Sequence, residues 1–154
     1  MRWNKIGLPA AMAVGLALAQ ATSGTPTLSA DDDGPKTCSN RTLRGDYGAA
    51  IDGTILLPSP APGLVRGLVM QNFDGRGNSR GVDFVTLNGV PEGSDWRPIT
   101  GTYDVNPDCT GTGEIHFNDG SPPLKLRLLV VDGGRQVMSI VEGNPVGSMG
   151  TRVR

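Results

Sequence analysis

The sequence predicts an all-β protein, folded as an eight-stranded antiparallel up-and-down barrel. Three observations lead to this fold class. Apolar and polar residues alternate along most segments, as they do in half-buried strands. Glycine and proline are abundant, 23 and 12 of 154 residues, and turn dipeptides fall at nearly regular intervals. Apart from the N-terminal apolar run, no window has a helical period with caps. A β-sandwich is the alternative architecture.

The first residues have the order of a secretory signal peptide. Two basic residues, Arg2 and Lys5, precede an apolar run of 14 residues, and AQA at 19–21 supplies the small residues that a signal peptidase recognises. A run of this length is too short to span a membrane. We therefore expect a secreted or periplasmic protein, cleaved after Ala21, with cleavage after Ala30 as the alternative.

Removal of the signal peptide (1–21) leaves a polar segment, 22–37, and one domain, 38–154. The polar segment is rich in Gly, Pro, Ser and Thr without periodicity, which predicts a flexible leader. The loss of two basic residues leaves 12 basic against 15 acidic residues, a net charge of −3. This balance argues against a nucleic-acid-binding protein, which needs a basic face.

The domain divides into eight predicted strands joined by short loops. They lie at 45–57, 64–73, 79–87, 96–105, 109–117, 124–131, 135–143 and 146–153. Eight consecutive strands with short connections favour a closed barrel, because closure removes the sheet edges. The interior of such a barrel holds side chains or one small ligand.

Two cysteines, Cys38 and Cys109, are present, and export would place them in an oxidising compartment. An even number of cysteines there favours a disulfide bond. Together with a single histidine, His116, they are too few for a structural zinc site. We predict a Cys38–Cys109 bridge that ties the start of the domain to its middle hairpin.

Four stretches carry a resemblance to a known group of proteins: GDYG at 45–48, FDGRGN at 73–78, GTYDVNPDCTG at 101–111 and DGG at 132–134. Their combination resembles small secreted bacterial proteins of unassigned function. In fold these look similar to the allene oxide cyclase and dirigent-like (calycin-type) barrels. The resemblance covers about residues 38–154 and implies a barrel with an internal cavity, in a fold family of cofactor-free cyclases and binding proteins. It carries over no functional residue, since no polar motif of that family aligns with this chain.

The motifs needed for the usual enzyme chemistry are missing. His116 alternates with Ile115 and Phe117, which places it outside the barrel, where it lacks the shelter that a general base needs. The residues indicate no cofactor and no metal site. Asp83 could face inward or outward, and a buried Asp83 would be a candidate proton donor or acceptor. Tyr103 is the second candidate catalytic residue.

Two function hypotheses from different classes follow, and both use the barrel interior. The first is a binding protein that holds a small, largely apolar molecule against the inward-facing residues Gln71, Phe73, Tyr103 and Phe117. The second is a cofactor-free cyclase or isomerase in which Asp83 or Tyr103 polarises the substrate. A filled barrel that serves as a structural or interaction module is the third alternative.

The sixth and seventh predicted strands are apolar on both faces. Since one face fills the barrel, the other leaves four apolar side chains outside it: Leu129, Val131, Met138 and Ile140. Contiguous exposed apolar patches mark interfaces. We therefore expect these residues to form the interface of a homo-oligomer, the commonest use of such a surface.

Overall fold

The computed structural model describes residues 37–56 and 62–153, and the predicted signal peptide and nearly all of the leader lie outside these ranges. Short 3-10 helices cover Asn40–Thr42 and Asp132–Gly134. The strands are β1 Arg44–Ile55, β2 Gly63–Asp74, β3 Asn78–Leu87, β4 Val90–Pro91, β5 Arg97–Val105, β6 Thr110–Phe117, β7 Leu124–Val131, β8 Gln136–Val141 and β9 Val146–Arg152.

Eight of these strands form a closed antiparallel barrel. Each long strand pairs with the next one along the chain, and β1 pairs with β9, which closes the ring. The two-residue strand β4 pairs with β3 outside the ring. The predicted fold class is thus confirmed. The bounds of the eight predicted strands agree with the structure to within a few residues, whereas β4 falls in a segment predicted to be a loop.

One end of the barrel is filled by a group of buried side chains, which we call the plug. Three of its members are aromatic rings in edge-to-face contact: the Phe73 ring centroid lies 5.2 Å from that of Tyr47 and 5.0 Å from that of Tyr103. The plug consists of Leu43, Tyr47, Phe73, Tyr103, Val105, Leu128, Val130 and Val137. Burial of these apolar surfaces is the main source of the domain's stability.

The predicted disulfide bond is present beside the plug. Cys38 and Cys109 are bonded, with their Cα atoms 5.0 Å apart. Cys109 has a positive φ of 69°, since it follows the tight turn after β5, where its N–H donates to the Asn106 carbonyl at 3.0 Å. Both cysteines are partly buried and pack against the plug. The cysteine at this hairpin is therefore a structural residue.

The turn between β2 and β3 is organised by the carboxylate of Asp74. One oxygen accepts hydrogen bonds from the backbone N–H groups of Arg76 (2.7 Å) and Asn78 (3.0 Å), and the other accepts one from the Asn78 side-chain amide. Bonds of this kind favour the charged form of a carboxyl group. The hydrogen bonds from the Asn78 side chain and the two N–H groups lower the pKa of Asp74 from 3.8 to about 2.

The low pKa of Asp74 predicts a contribution to stability at low pH. Because the unfolded chain binds the proton more readily, this contribution is present above pH 3.8 and is lost as the pH falls through about 2. An NMR titration of the Asp74 carboxyl group is expected to give a pKa near 2. In Asp74→Ala, the unfolding midpoint should fall less steeply than in the parent protein as the pH is lowered from 3.8 to about 2. Asp104→Ala, which removes an exposed acid on β5, is the control, and equal effects of the two substitutions would refute the prediction.

The outer surface of the barrel has an apolar side and a polar side. The apolar side is a row of cross-strand neighbours that starts at Leu129 and Met138 and continues through Met149, Ala50 and Leu68. Leu129, Ile140 and Met149 are 42%, 52% and 53% exposed. Outward positions of β5 and β6 are polar by contrast: Thr100, Thr102, Asp104, Thr112, Glu114 and His116.

Candidate functional site

The half of the barrel opposite the plug contains a cavity of about 310 Å³. Its position follows from side-chain size, since the large aromatic rings lie at the plugged end and the other end receives mainly valine, isoleucine and serine. The cavity is partly open to solvent. Its apolar wall consists of Ile51, Ile55, Val65, Val69, Val85, Ile99, Ile115, Phe117, Leu124, Leu126, Val141 and Val146. The space suits a small ligand with a large apolar surface.

The inner end of the cavity, next to the plug, carries a small polar group of side chains. The Gln71 amide donates to the Ser79 hydroxyl at 2.9 Å. Ser139 and Ser148, which face each other across β8 and β9, share a hydrogen bond of 2.8 Å. Hydroxyl and amide groups have further donors or acceptors once one bond is made. They can therefore bind one polar atom of a ligand at this depth.

The outer part of the cavity carries an ion pair between neighbouring strands. Asp83 on β3 lies directly opposite Arg97 on β5. The guanidinium group donates two bonds of 3.0 Å, one from Nε and one from Nη2, to the two carboxylate oxygens. Hydrogen bonding to Asp83 raises the pKa of Arg97 above its usual value. The Arg97 guanidinium group also lies 4.2 Å from the centre of the Phe117 ring, a cation–π arrangement.

The two ends of this ion pair are buried to different extents. The Asp83 side chain is only 7% exposed, whereas that of Arg97 is 32% exposed. Arg97 also approaches Glu92, with 3.5 Å between Nη1 and Oε2. The structure therefore resolves the two orientations that the sequence left open for Asp83: it faces inward, as a carboxylate held by a charge-assisted, two-point contact.

The four residues predicted to bind a ligand separate into two groups. Gln71 and Phe117 line the larger cavity. Phe73 and Tyr103 belong to the plug and border a smaller space of about 40 Å³. The Tyr103 hydroxyl accepts a bond from the Gly75 N–H at 2.8 Å and donates to the Leu43 carbonyl at 2.9 Å, and burial raises the pKa of Tyr103. It thus takes part in the hydrogen bonding of the plug.

Arg97 and Glu92 are site residues that the sequence analysis did not identify. A signal for Arg97 exists, because it shares the inward phase of Ile99 and Tyr103 on the same strand. The position of Glu92 depends on β4 and the connection that follows it. The alternation of apolar and polar residues cannot predict that a residue in such a connection lies at the mouth, the open end of the barrel opposite the plug.

The unequal burial of the ion pair predicts unequal effects of removing its two members. Arg97→Met would leave the buried Asp83 carboxylate without a partner and is expected to lower the free energy of unfolding by about 3 kcal/mol. Asp83→Asn leaves a half-exposed guanidinium group that can turn to water or to Glu92, and should cost about 1 kcal/mol. Urea unfolding at pH 7, followed by circular dichroism, measures both.

A double variant is the control for this prediction. Asp83→Leu combined with Arg97→Met replaces the pair by apolar side chains, and we expect a stability within about 1 kcal/mol of the parent protein. Equal losses for the two single variants, or a double variant as unstable as Arg97→Met alone, would contradict the asymmetry.

In the ranges 37–56 and 62–153, no helix is long and apolar enough to cross a membrane. The same residues contain no group of three or more His, Cys, Asp or Glu side chains placed to hold a metal ion. The resemblance to allene oxide cyclase-like barrels stays a prediction, since no family model matches the chain, and no curated protein or solved structure matches it either.

Proposed function

We propose that this chain is an exported binding protein that holds a small, largely apolar molecule in its barrel. The observation that carries the proposal is the uneven filling of the interior. Three aromatic rings close one half, while the other half keeps a cavity of about 310 Å³ with apolar walls and a few polar groups. Ligand sites in proteins have this composition. A barrel with a purely structural role would gain stability from larger side chains at these positions.

The size of the cavity limits the size of the ligand. Its volume lies at the lower end of the range typical of ligand sites, roughly 300–1,000 Å³. If each non-hydrogen atom takes about the volume of one water molecule in the liquid, ~30 Å³, the cavity holds about ten such atoms. This is the size of a small volatile or signalling molecule and is well below that of a long-chain lipid.

Export to an oxidising compartment is part of the proposal. It is supported by the charged, apolar and small-residue order of the first 21 residues and by the Cys38–Cys109 bond, since disulfides persist outside the cytosol. A secreted or periplasmic carrier or sensor of small apolar molecules agrees with both features.

Binding is favoured over the cyclase or isomerase hypothesis by the state of the two candidate catalytic residues. Both oxygens of Asp83 accept bonds from Arg97, and the Tyr103 hydroxyl is engaged inside the plug. A residue that transfers protons needs access to the reacting atom. Asp83 and Tyr103 already use their polar atoms in these hydrogen bonds and are not free to act on a substrate. Binding of an apolar molecule, in contrast, needs only the apolar walls of the cavity.

Native mass spectrometry of protein purified from its own host tests the proposal. We expect a retained small molecule that is lost on denaturation. Leu126→Trp should abolish retention by filling the cavity, whereas Lys125→Trp, its outward-facing neighbour on β7, should leave it intact. Val141→Trp is a second filling variant if the first folds poorly. A bound molecule that both filling variants keep, or its absence from the parent protein, would refute binding in the cavity.

We also propose that the apolar outer side mediates self-association. Leu129, Met138 and Ile140, three of the four predicted interface residues, lie on this side together with Met149 and Leu68, which were not among the predicted residues. The fourth, Val131, is partly buried and lies opposite Gln136. A closed barrel has no free sheet edge, so copies of the chain would associate through side chains. A symmetric contact between two such apolar surfaces removes both from water.

Analytical ultracentrifugation at micromolar concentration tests self-association. The domain is expected to sediment as an oligomer, and Leu129→Lys with Ile140→Lys should convert it to a monomer with an unchanged circular dichroism spectrum. Thr100→Lys with Thr112→Lys places the same charges on the polar side and should leave the oligomer intact. A parent protein that is already monomeric would contradict the proposal.

A further inference from the structure

The charged side chains at the mouth of the cavity carry a net negative charge. Among the described residues that line the cavity, the charged ones are Asp83, Glu92 and Arg97. The cavity lining therefore carries two carboxylates against one guanidinium group. A third carboxylate, Asp119, follows β6; hydrogen bonding to Ser121, and to a smaller extent the field of Arg97, lower its pKa.

The charge of Arg97 is already matched by carboxylate partners, which weakens its attraction for a ligand anion. Its Nε and Nη2 atoms are bonded to Asp83, its Nη1 atom is 3.5 Å from Glu92, and its guanidinium group lies over the Phe117 ring. A ligand carboxylate at the mouth would compete with a two-point ion pair and would also approach the like charge of Glu92. Both effects weaken binding of an anion.

Glu92, in contrast, has capacity for a ligand cation. Its side chain is 40% exposed, and its contact with Arg97 is long. The carboxylate can therefore accept bonds from an ammonium group that remains partly hydrated, which avoids the cost of burying an isolated charge. The hydrocarbon part of such a ligand would lie along Val69, Ile99 and Ile115, and two of these, Val69 and Ile115, also border the small space beside the plug.

We infer that the cavity selects a small apolar amine, with its ammonium group beside Glu92 at the mouth and its hydrocarbon part inside, over a carboxylate of the same length. The inference rests on the proposed binding function and adds the chemical class of the ligand. A neutral alcohol should bind with an affinity between those of the amine and the carboxylate, because it gains the same apolar burial without the charge interaction.

Titration calorimetry at pH 7 with octylamine, 1-octanol and octanoate tests this selectivity. These probes share an eight-carbon chain of the size the cavity holds, and at this pH the amine is protonated and the acid ionised. Octylamine is expected to bind at least about 10-fold more tightly than octanoate. Glu92→Gln should reduce this ratio several-fold, whereas Glu114→Gln, on the outer face of β6, should leave it unchanged. Leu126→Trp should abolish binding of all three.

The outcomes separate the inference from the function on which it rests. Octanoate binding as tightly as octylamine, with both lost in Leu126→Trp, would overturn the charge selectivity and leave the binding function supported. If Glu92→Gln left the ratio of octylamine to octanoate affinity unchanged, the role of Glu92 would be overturned as well. Binding of octylamine that persists in both Leu126→Trp and Val141→Trp would place the amine on the surface and overturn the inference. Failure of all three probes to bind would overturn the inference together with the proposed site.

Discussion

Replacing either Cys38 or Cys109 with serine is expected to lower the free energy of unfolding by about 4 kcal/mol. The bond joins residues 71 positions apart, and a loop of this length has a large closure entropy in the unfolded chain. For a domain of this size, whose total stability is of the order of 5–15 kcal/mol, such a loss is a large fraction of the whole.

The disulfide also supports the plug directly. The Cys38 N–H donates to the Pro107 carbonyl at 3.1 Å, and the Cys109 carbonyl accepts from the Val130 N–H at 2.9 Å. The bridge thus holds the segment before β1 against the end of the barrel that the plug fills. Loss of the bond should therefore loosen the closed end first, which hydrogen exchange of the Tyr103 and Val105 amides would detect.

Urea unfolding with and without reductant measures the effect of the bond. The parent protein in reductant should match Cys38→Ser, and the double serine variant should be no less stable than either single variant, because all three lack the same link. Two free thiols in the folded protein purified from its own host, or an unchanged unfolding midpoint after reduction, would contradict the prediction.

The fold could be predicted from the sequence because its determinants are local. The alternation around Ile115 and Phe117 predicted which side of β6 is buried, and the turn residues at 106–108 (NPD) indicate where the strand starts. The number of strands follows from turn signals. The cysteine count, together with the predicted signal peptide, predicted the bridge. None of these inferences requires knowledge of which residues face each other across strands.

The site could be predicted only in part, because it depends on register between strands. The inward phases of Tyr47 and Tyr103 follow from alternation, but their joint position at one end of the barrel does not. It arises because the strands are staggered around the ring, so that Tyr47 and Tyr103 both reach the ring of Phe73 on β2. The inward phase of Phe73 and Tyr103 predicts a ligand site, because alternation does not show which half of the lumen these side chains fill.

The ion pair in the cavity illustrates the same limit. Asp83 and Arg97 are separated by a connection that contains β4, and their alignment depends on how that connection closes. A shift of one residue would turn one of the two side chains outward. The sequence therefore left Asp83 with two orientations and could not supply its partner.

The second large effect is expected at Tyr47, the most buried aromatic residue of the plug. Its ring is 1% exposed and contacts Phe73 edge-on. Its hydroxyl donates to the Gly134 carbonyl and accepts from Arg152, whose Nη2 atom is 2.8 Å away. Tyr47→Ala would remove the ring and leave a cavity that rigid strands cannot close, at a cost of about 4 kcal/mol.

Tyr47→Phe separates the packing of the ring from its hydrogen bonds. It keeps the ring and removes only the hydroxyl, and Arg152 retains its bond of 2.8 Å to the Thr42 carbonyl. The loss should therefore be about 1–2 kcal/mol, most of it from the Gly134 carbonyl left without this donor. Urea unfolding of the two variants tests both values. If Tyr47→Phe were as destabilising as Tyr47→Ala, the hydroxyl network and not the packed ring would hold the closed end. In that case the uneven filling of the barrel would depend on Arg152, and Arg152→Met would unfold the plug as effectively as Tyr47→Ala.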